Sequence, residues 1–234
     1  MKKRALFTLA VSTLFVGLQA VGGSSSVQAA EKTIKFGAPL PLTGALAPEG
    51  IKIQRGLNLW MDTANAKGGI KVGNERYKIK IIYQDYQSNT PRAVQTAEKL
   101  ITDDKVNFLF SPFGSGATKA ASGVSEKYGI PTIASTASSE AVYNQGYKYL
   151  FGTFTPNITL TQPLTDMVIA KRPETKTVAI LARNDFFPLA IANVMKKSAA
   201  KRNLKMVFFE KYAIGTMDHS SALVQMKAAK PDWI

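Results

Sequence analysis

Cysteine is absent from this chain, and histidine occurs once, as His219. Without a thiol there can be no disulfide framework, no thiolate metal site, no cysteine nucleophile and no lipid attachment at the end of an export signal. One imidazole and no clustered carboxylates leave no donor set for a metal, so no metal and no cofactor is expected. Acidic residues are also scarce: 16 Asp+Glu stand against 30 Lys+Arg, a formal charge of +14. Such an excess suits nucleic acid, a membrane surface or a merely basic soluble protein. Lys196-Lys197 and Lys201-Arg202 fall on one predicted helix, but elsewhere the cations are scattered singly. No arginine/aromatic stacking motif accompanies them, so a solvated surface is favoured and no nucleic-acid partner is expected.

Long apolar runs are missing after the first thirty residues, so no later segment is expected to span a bilayer. The exception is the N-terminus. Met1-Lys2-Lys3-Arg4 is basic, Ala5 to Val21 is mostly apolar, and Val27-Gln28-Ala29 is a small-residue cleavage site. Residues 1–29 therefore read as a secretory signal peptide, in preference to a membrane anchor, and the mature chain as a free periplasmic protein.

What is present is a core-forming composition, 45% hydrophobic over 234 residues, with strand and helix patterns in alternation. Thr33 to Leu40 reads as a strand, followed by a Gly/Pro-rich loop to Gly50 and a helix to Ala66 that Lys67-Gly68-Gly69 stops. A strand over Tyr77–Tyr83 follows, then a helix entered at Ser88-Asn89-Thr90-Pro91 and running to Thr102. Strands at Val106–Phe110 and Pro131–Ala134 enclose a helix over Ala117–Tyr128. A turn through Asn144 and an extended piece at Tyr149–Phe154 lead to a crossover at Thr155-Pro156-Asn157. The rhythm restarts beyond it. Helices are expected over Thr159–Ala170, from the Arg183–Pro188 loop to Lys201, and after Asp218 with Leu223 and Met226 inward. Strands are expected at Thr177–Leu181, at Met206–Phe209 and, unfinished, at Asp232-Trp233-Ile234. Alternation of this kind means α/β, with parallel sheets flanked by helices and crevices at the strands' carboxyl ends. The restart divides the mature chain into a first lobe, 30–154, and a second, incomplete lobe, 155–234.

The candidate chemistry lies at two strand ends. Phe108-Leu109-Phe110 runs into Ser111-Pro112-Phe113-Gly114-Ser115-Gly116-Ala117-Thr118, a tight turn and a helix start, where unpaired N–H groups and the dipole favour an anion. Ile130 to Ala134 runs likewise into Ser135-Thr136-Ala137-Ser138-Ser139. Side by side in a parallel sheet, these ends would floor a site for one small carboxylate. For Ser115 and Ser138, turn formation and capping compete on equal terms with ligand contact. Catalysis is not expected: Gly114-Ser115-Gly116 lacks the G-x-S-x-G elbow, and the adjacent Asp218-His219-Ser220 cannot converge as a triad. Neither phosphate-loop nor dinucleotide spacing is met. Phe186-Phe187-Pro188, in a polar strand-to-helix loop, packs locally or walls a pocket facing the first lobe.

Taken together, Pro41-Leu42-Thr43-Gly44, Asn65-Ala66-Lys67-Gly68-Gly69-Ile70, Gly114-Ser115-Gly116-Ala117-Thr118, Gly129-Ile130-Pro131 and Ser135-Thr136-Ala137-Ser138-Ser139 occur in an order that is specific in combination. On these blocks the mature sequence resembles the type I periplasmic substrate-binding proteins of branched-chain amino-acid ABC transporters, the leucine/isoleucine/valine-binding type. The resemblance implies two α/β lobes joined by three crossovers and closing on a ligand at a hinge. It implies a non-enzymatic, monomeric protein that delivers an amino acid or related acid to a membrane permease, or a sensing module of the same fold. It also implies that Ser115 holds the ligand carboxylate through hydroxyl and N–H, that Ser138 binds the same group, and that Thr136 offers its carbonyl to an α-ammonium. Gly116 and Ala137 accompany them in the same clamp. Phe187 would cap the ligand from the second lobe, and Glu49 stands where amino-acid binders often carry tyrosine. The resemblance further implies more chain beyond Ile234, carrying the remaining second-lobe contacts.

Overall fold

The computed structural model describes residues 32–234, so the expected signal peptide lies outside the described residues. Two sheets carry the chain. The first has six strands in the order β2-β3-β1-β4-β5-β6: β1 Thr33–Leu40, β2 Ile70–Val72, β3 Glu75–Asp85, β4 Phe108–Phe110, β5 Thr132–Ala134 and β6 Leu150–Gly152. All neighbours run parallel except β2, which pairs antiparallel with β3. Helices α1 (Ala47–Ala66), α2 (Thr90–Thr102), α3 (Ser115–Tyr128) and the short α4 (Glu140–Tyr143) complete this half.

The central strand β1 is buried along its last five residues, as expected of a strand covered on both faces. On one side Phe36, Leu40, Ile79, Ile81 and Phe110 pack with Ile53, Leu57 and Met61 of α1. Phe36 and Phe110 meet the Trp60 ring edge-on at 5.2 and 5.8 Å, a favourable aromatic geometry. On the other side Ala97, Leu100 and Ile101 of α2 join Leu109 and, from α3, Ala121 and Val124.

Helix ends follow their local chemistry. The Asn89 side chain accepts from the Arg92 N–H at 3.0 Å and caps α2, while left-handed Gly129 (φ 68°) ends α3. At the end of α1, Gly68 and Gly69 take φ values of 86° and 83°. A Cβ on Gly69 would stand 2.1 Å from the Tyr77 carbonyl oxygen, so this glycine makes the close approach between helix exit and hairpin possible.

The second sheet pairs β7 (Thr177–Arg183) with β8 (Lys205–Tyr212) in parallel. It is accompanied by α5 (Asn157–Lys171), α6 (Phe186–Lys201) and α7 (Ser220–Ala228). Val178, Ala199 and Leu204 form one buried cluster, and Ile180, Ala182 and Ala192 another. The unfinished strand expected at the C-terminus is present as a parallel bridge between Trp233 and Val178.

The α/β class with mostly parallel sheets is as expected. Three local expectations are corrected. The β2–β3 hairpin was not foreseen; only Tyr77–Tyr83 was expected as a strand. The segment expected as a turn after Ser139 contains the one-turn helix α4. Leu223 of α7 is 54% exposed rather than inward, whereas Met226 is buried. Helix starts also shift: α1 opens three residues early, at Ala47 with Pro48 in its first turn. Phe186 and Phe187 belong to the first turn of α6 and not to a loop.

Candidate functional site

In the first sheet the chain leaves β1 toward β3 on one side and resumes at β4 on the other, so strand order reverses between β1 and β4. Ligand crevices form at such a switch point, beyond the strands' carboxyl ends. A cavity of about 260 Å3 opens there. Leu46, Tyr86, Ser88, Thr90, Phe113, Gly114, Gly116, Ala117 and Thr136 line it from the first half, Phe154 from the crossover, and Arg183, Asp185, Phe187 and Ile214 from the second.

The floor is the turn into α3. Gly114 takes φ 85° as its N-cap, a conformation that glycine adopts without steric penalty. Its N–H donates to Thr136 Oγ1 at 3.3 Å. The first helical turn closes with the Thr118 N–H on the Gly114 carbonyl. The N–H groups of Ser115, Gly116 and Ala117 precede that bond and have no intrahelical acceptor, so they and the helix dipole present positive character at the cavity.

Ser115 is 1% exposed, and its Oγ accepts from the N–H groups of Ser138 and Ser139 at 3.2 and 3.3 Å. That hydroxyl therefore ties the two strand-end blocks together and retains only its own hydrogen to donate. Ser138, wholly buried, donates to Asn157 Oδ1 at 2.5 Å, linking the second block to the start of α5. Ala137 is also wholly buried, in a cluster with Ala134 and Val142. Of the two blocks, Phe113, Gly114, Gly116, Ala117 and Thr136 reach the cavity wall. Glu49 lies in the first turn of α1, paired with Lys52 at 3.0 Å, and is not among the lining residues. Phe187 lines the cavity from the opposite side.

The walls are held from behind. Asp85 accepts from the N–H groups of Leu42, Thr43 and Gln87 and from Thr43 Oγ1 at 2.7–3.2 Å. Burial works against its ionisation, but these bonds outweigh it and hold the carboxyl below the usual range. Ser88 Oγ donates to the Thr43 carbonyl and accepts from the Leu46 N–H. The Tyr86 hydroxyl donates to the Phe113 carbonyl at 3.2 Å, and burial pushes this phenol far up, so it stays protonated.

Across the cavity, Arg183 Nη2 bonds Asp185 Oδ2 at 2.7 Å, and Asp185 Oδ1 caps α6 by accepting from the Phe186 N–H. The two halves touch at the rim. Lys119 Nζ sits 5.4 Å from the Phe186 ring centre, and a Cβ on Gly116 would be 3.2 Å from Phe186 Cβ. Ser115 and His219 are not brought together: the imidazole packs edge-on against Tyr212, ring centres 4.5 Å apart.

Sequence reasoning did not single out Tyr86, Phe113, Phe154 or Arg183 as lining residues. The one available signal was position, since Tyr86, Phe113 and Arg183 each lie at or just beyond a strand's carboxyl end.

A crevice at the switch point, floored by a helix N-terminus and closed by residues of a second α/β half, defines a class: two-sheet proteins that enclose a small ligand. The chain belongs to the periplasmic binding protein family, whose model matches residues 33–234. It is 29% identical over 231 residues to the Leu/Ile/Val-binding protein homolog 8 of Brucella suis, covering 95% of this chain and 56% of that protein. It is 28% identical to the leucine-, isoleucine-, valine-, threonine- and alanine-binding protein of Pseudomonas aeruginosa, over 95% and 58% of the two chains. The branched-chain amino acid transporter substrate binding protein LivJ of Streptococcus pneumoniae, solved with isoleucine, superposes with TM-score 0.75 at 29% identity, over 86% of this chain and 56% of that one. A solute-binding protein of an ABC transporter from Rhodopseudomonas palustris, solved with benzoate, gives TM-score 0.74 at 26% identity, over 86% and 54%. The family recognised from the sequence blocks is thus the family found. The chain spans just over half the length of these relatives, which accords with an incomplete second lobe. Among the described residues no helix is long and apolar enough to cross a membrane.

Proposed function

We propose that this chain is the greater part of a periplasmic solute-binding protein that delivers a small carboxylate ligand, an amino acid or a related organic acid, to an ABC transporter permease. The observation that carries this reading is the cavity itself, lined by Gly116 and Thr136 on one side and Phe187 on the other. The ligand carboxylate would rest on the N–H groups at the start of α3, with Ser115, Ser138 and Ala137 fixing the two blocks behind it. Residues 30–154 and 155–234 would act as the two lobes, hinged at the crossover near Phe154, and closure would present a joint surface to the permease. The relatives named above are binding proteins, which favours binding without turnover, and their names favour transport.

A thermal-shift screen tests this with isoleucine and benzoate, the ligands of the two structural neighbours, and their close analogues. A ligand at 100 times its dissociation constant adds about 2.7 kcal/mol of stability. The expected result is a saturable rise in melting temperature with at least one acid, recovered chemically unchanged. No shift with any acid, or conversion of the acid, would refute the reading.

A further inference from the structure

Arg183 ends β7 and lines the cavity from the second half, as the α3 N-terminus does from the first. Its Nη2 donates to Asp185, its Nε is shut off from solvent without a hydrogen-bond partner, and the side chain as a whole stays 31% exposed, so the outer guanidinium N–H groups are the ones open to a ligand. A guanidinium carries five N–H donors, always charged, and leaving them unpaired in a closed site is unfavourable. Asp185 is the one carboxylate in the lining; one of its oxygens takes Arg183 and the other the Phe186 N–H. Phe187 and Ile214, which line the cavity from the same half, have no side-chain acceptor at all. Both halves of the cavity lining therefore ask for an acceptor: the α3 N–H groups in the first and the guanidinium in the second, with the apolar side chains of Phe113, Phe154, Phe187 and Ile214 in the same lining.

We propose that Arg183 is a specificity-determining residue. It takes an oxygen acceptor at the end of the ligand opposite its carboxylate, so that the cleft selects acids carrying a second oxygen function. A ring hydroxyl, a carbonyl or a second carboxylate would serve. An acid with an apolar far end closes the cleft over a guanidinium that has lost water and gained nothing. Sites built to hydrogen-bond a polar group discriminate strongly against the analogue lacking it. This inference rests on the small-acid reading given above.

The test is titration calorimetry on the full protein with isoleucine, benzoate, 4-hydroxybenzoate and 4-carboxybenzoate. The expected result is that an oxygenated benzoate binds at least about tenfold tighter than benzoate or isoleucine, the discrimination of one hydrogen bond to a charged group. Arg183→Gln should abolish that preference, and Arg183→Lys should restore part of it. Should Arg183→Gln fail to fold, the comparison of the four acids on the unaltered protein still decides. Tighter or equal binding of isoleucine or benzoate overturns the role of Arg183 and leaves the small-acid reading standing. So does an equal loss for oxygenated and plain acids in Arg183→Gln, which would make the arginine a support for Asp185 alone. Binding of none of the four overturns the small-acid reading itself, and this inference with it.

Discussion

Gly116 sits where the two halves meet, and adding one methyl group there tests closure directly. Its built Cβ would lie 3.2 Å from Phe186 Cβ and 3.9 Å from Cγ, tighter than ordinary van der Waals contact. Phe186 is 37% exposed, so it can yield a little. Inserting a methyl into a packed contact costs roughly 1–3 kcal/mol. The partial freedom of Phe186 places Gly116→Ala near the low end, about 1 kcal/mol, which is roughly a fivefold loss of ligand affinity. Gly116→Val should cost about 2–3 kcal/mol, thirtyfold or more. The unliganded chain should not suffer in the Ala variant, because alanine exceeds glycine in helix propensity by up to about 1 kcal/mol. Affinity and stability should therefore move in opposite directions, the mark of a penalty confined to the closed state.

The competing explanation is that the new Cβ strikes the ligand. A double-mutant cycle with Phe186→Gly, which removes the opposing Cβ, separates the two. If the halves collide, Gly116→Ala costs affinity in the natural background and little in Phe186→Gly. If the ligand is struck, the cost is the same in both. Calorimetry provides the affinities and thermal melts the stabilities. An unchanged affinity in Gly116→Val, with the fold intact, would refute the contact as a feature of the bound state.

Ser115→Ala should lower the stability of the unliganded protein by about 1–3 kcal/mol, because the buried Ser138 and Ser139 N–H groups lose their acceptor; an unchanged denaturation midpoint would mean that they find another. Gly50→Ala should be destabilising by about 3 kcal/mol or more despite the better propensity of alanine, since its Cβ would stand 2.2 Å from the Pro41 carbonyl oxygen; urea melts will show it. Asp85 predicts a pH dependence. Its folded value is held down by four donors, so its contribution is complete above the ordinary aspartate value of about 3.9 and fades as pH falls through the lower folded value. Asp85→Ala should therefore be less stable than the natural chain at neutral pH, and the gap should narrow in acid melts below about pH 4. A gap that stays constant with pH would assign the loss to packing alone.

Much of the first sheet could be read from local chemistry. The Asn89 cap and the Gly68-Gly69 stop are each properties of a few adjacent residues, and each stands where expected. The β2 strand is three residues with one half-buried side chain, and it exists because the two-residue turn at Gly73 lets it pair back on β3. No periodicity develops in so short a piece. Leu223 misled for the opposite reason: a leucine in an amphipathic stretch reads as core, but which side α7 buries depends on what packs over it. The cavity wall was harder still. Tyr86, Phe113, Phe154 and Arg183 are separated by scores of residues, and the reversal of strand order between β1 and β4 brings the first two together. Topology of that kind is not written in any local window.

The pair of hydroxyl-rich strand ends shows how a correct location can conceal a different division of labour. The hydroxyls of Ser115 and Ser138 are largely spent inside the protein, on the Ser138 and Ser139 N–H groups and on Asn157 Oδ1. What the blocks offer the cavity directly is backbone: the unpaired N–H groups at the start of α3, aimed by a glycine with positive φ. A helix N-terminus needs no side chain to favour an anion, but it does need fixed orientation, because electrostatic complementarity is lost if the donors swing away. Fixing that orientation is the work of Ser115, which locks the α3 turn to the neighbouring strand end. Ser138 then carries the lock to Asn157, the first residue of α5 at the crossover. A ligand that draws the α3 turn and Ser115 toward itself pulls on the same hydrogen-bond chain that anchors α5. Substituting Asn157 by alanine should therefore alter ligand affinity although Asn157 touches no part of the cavity. Affinity unchanged in a folded Asn157→Ala protein would show that the clamp and the crossover act independently.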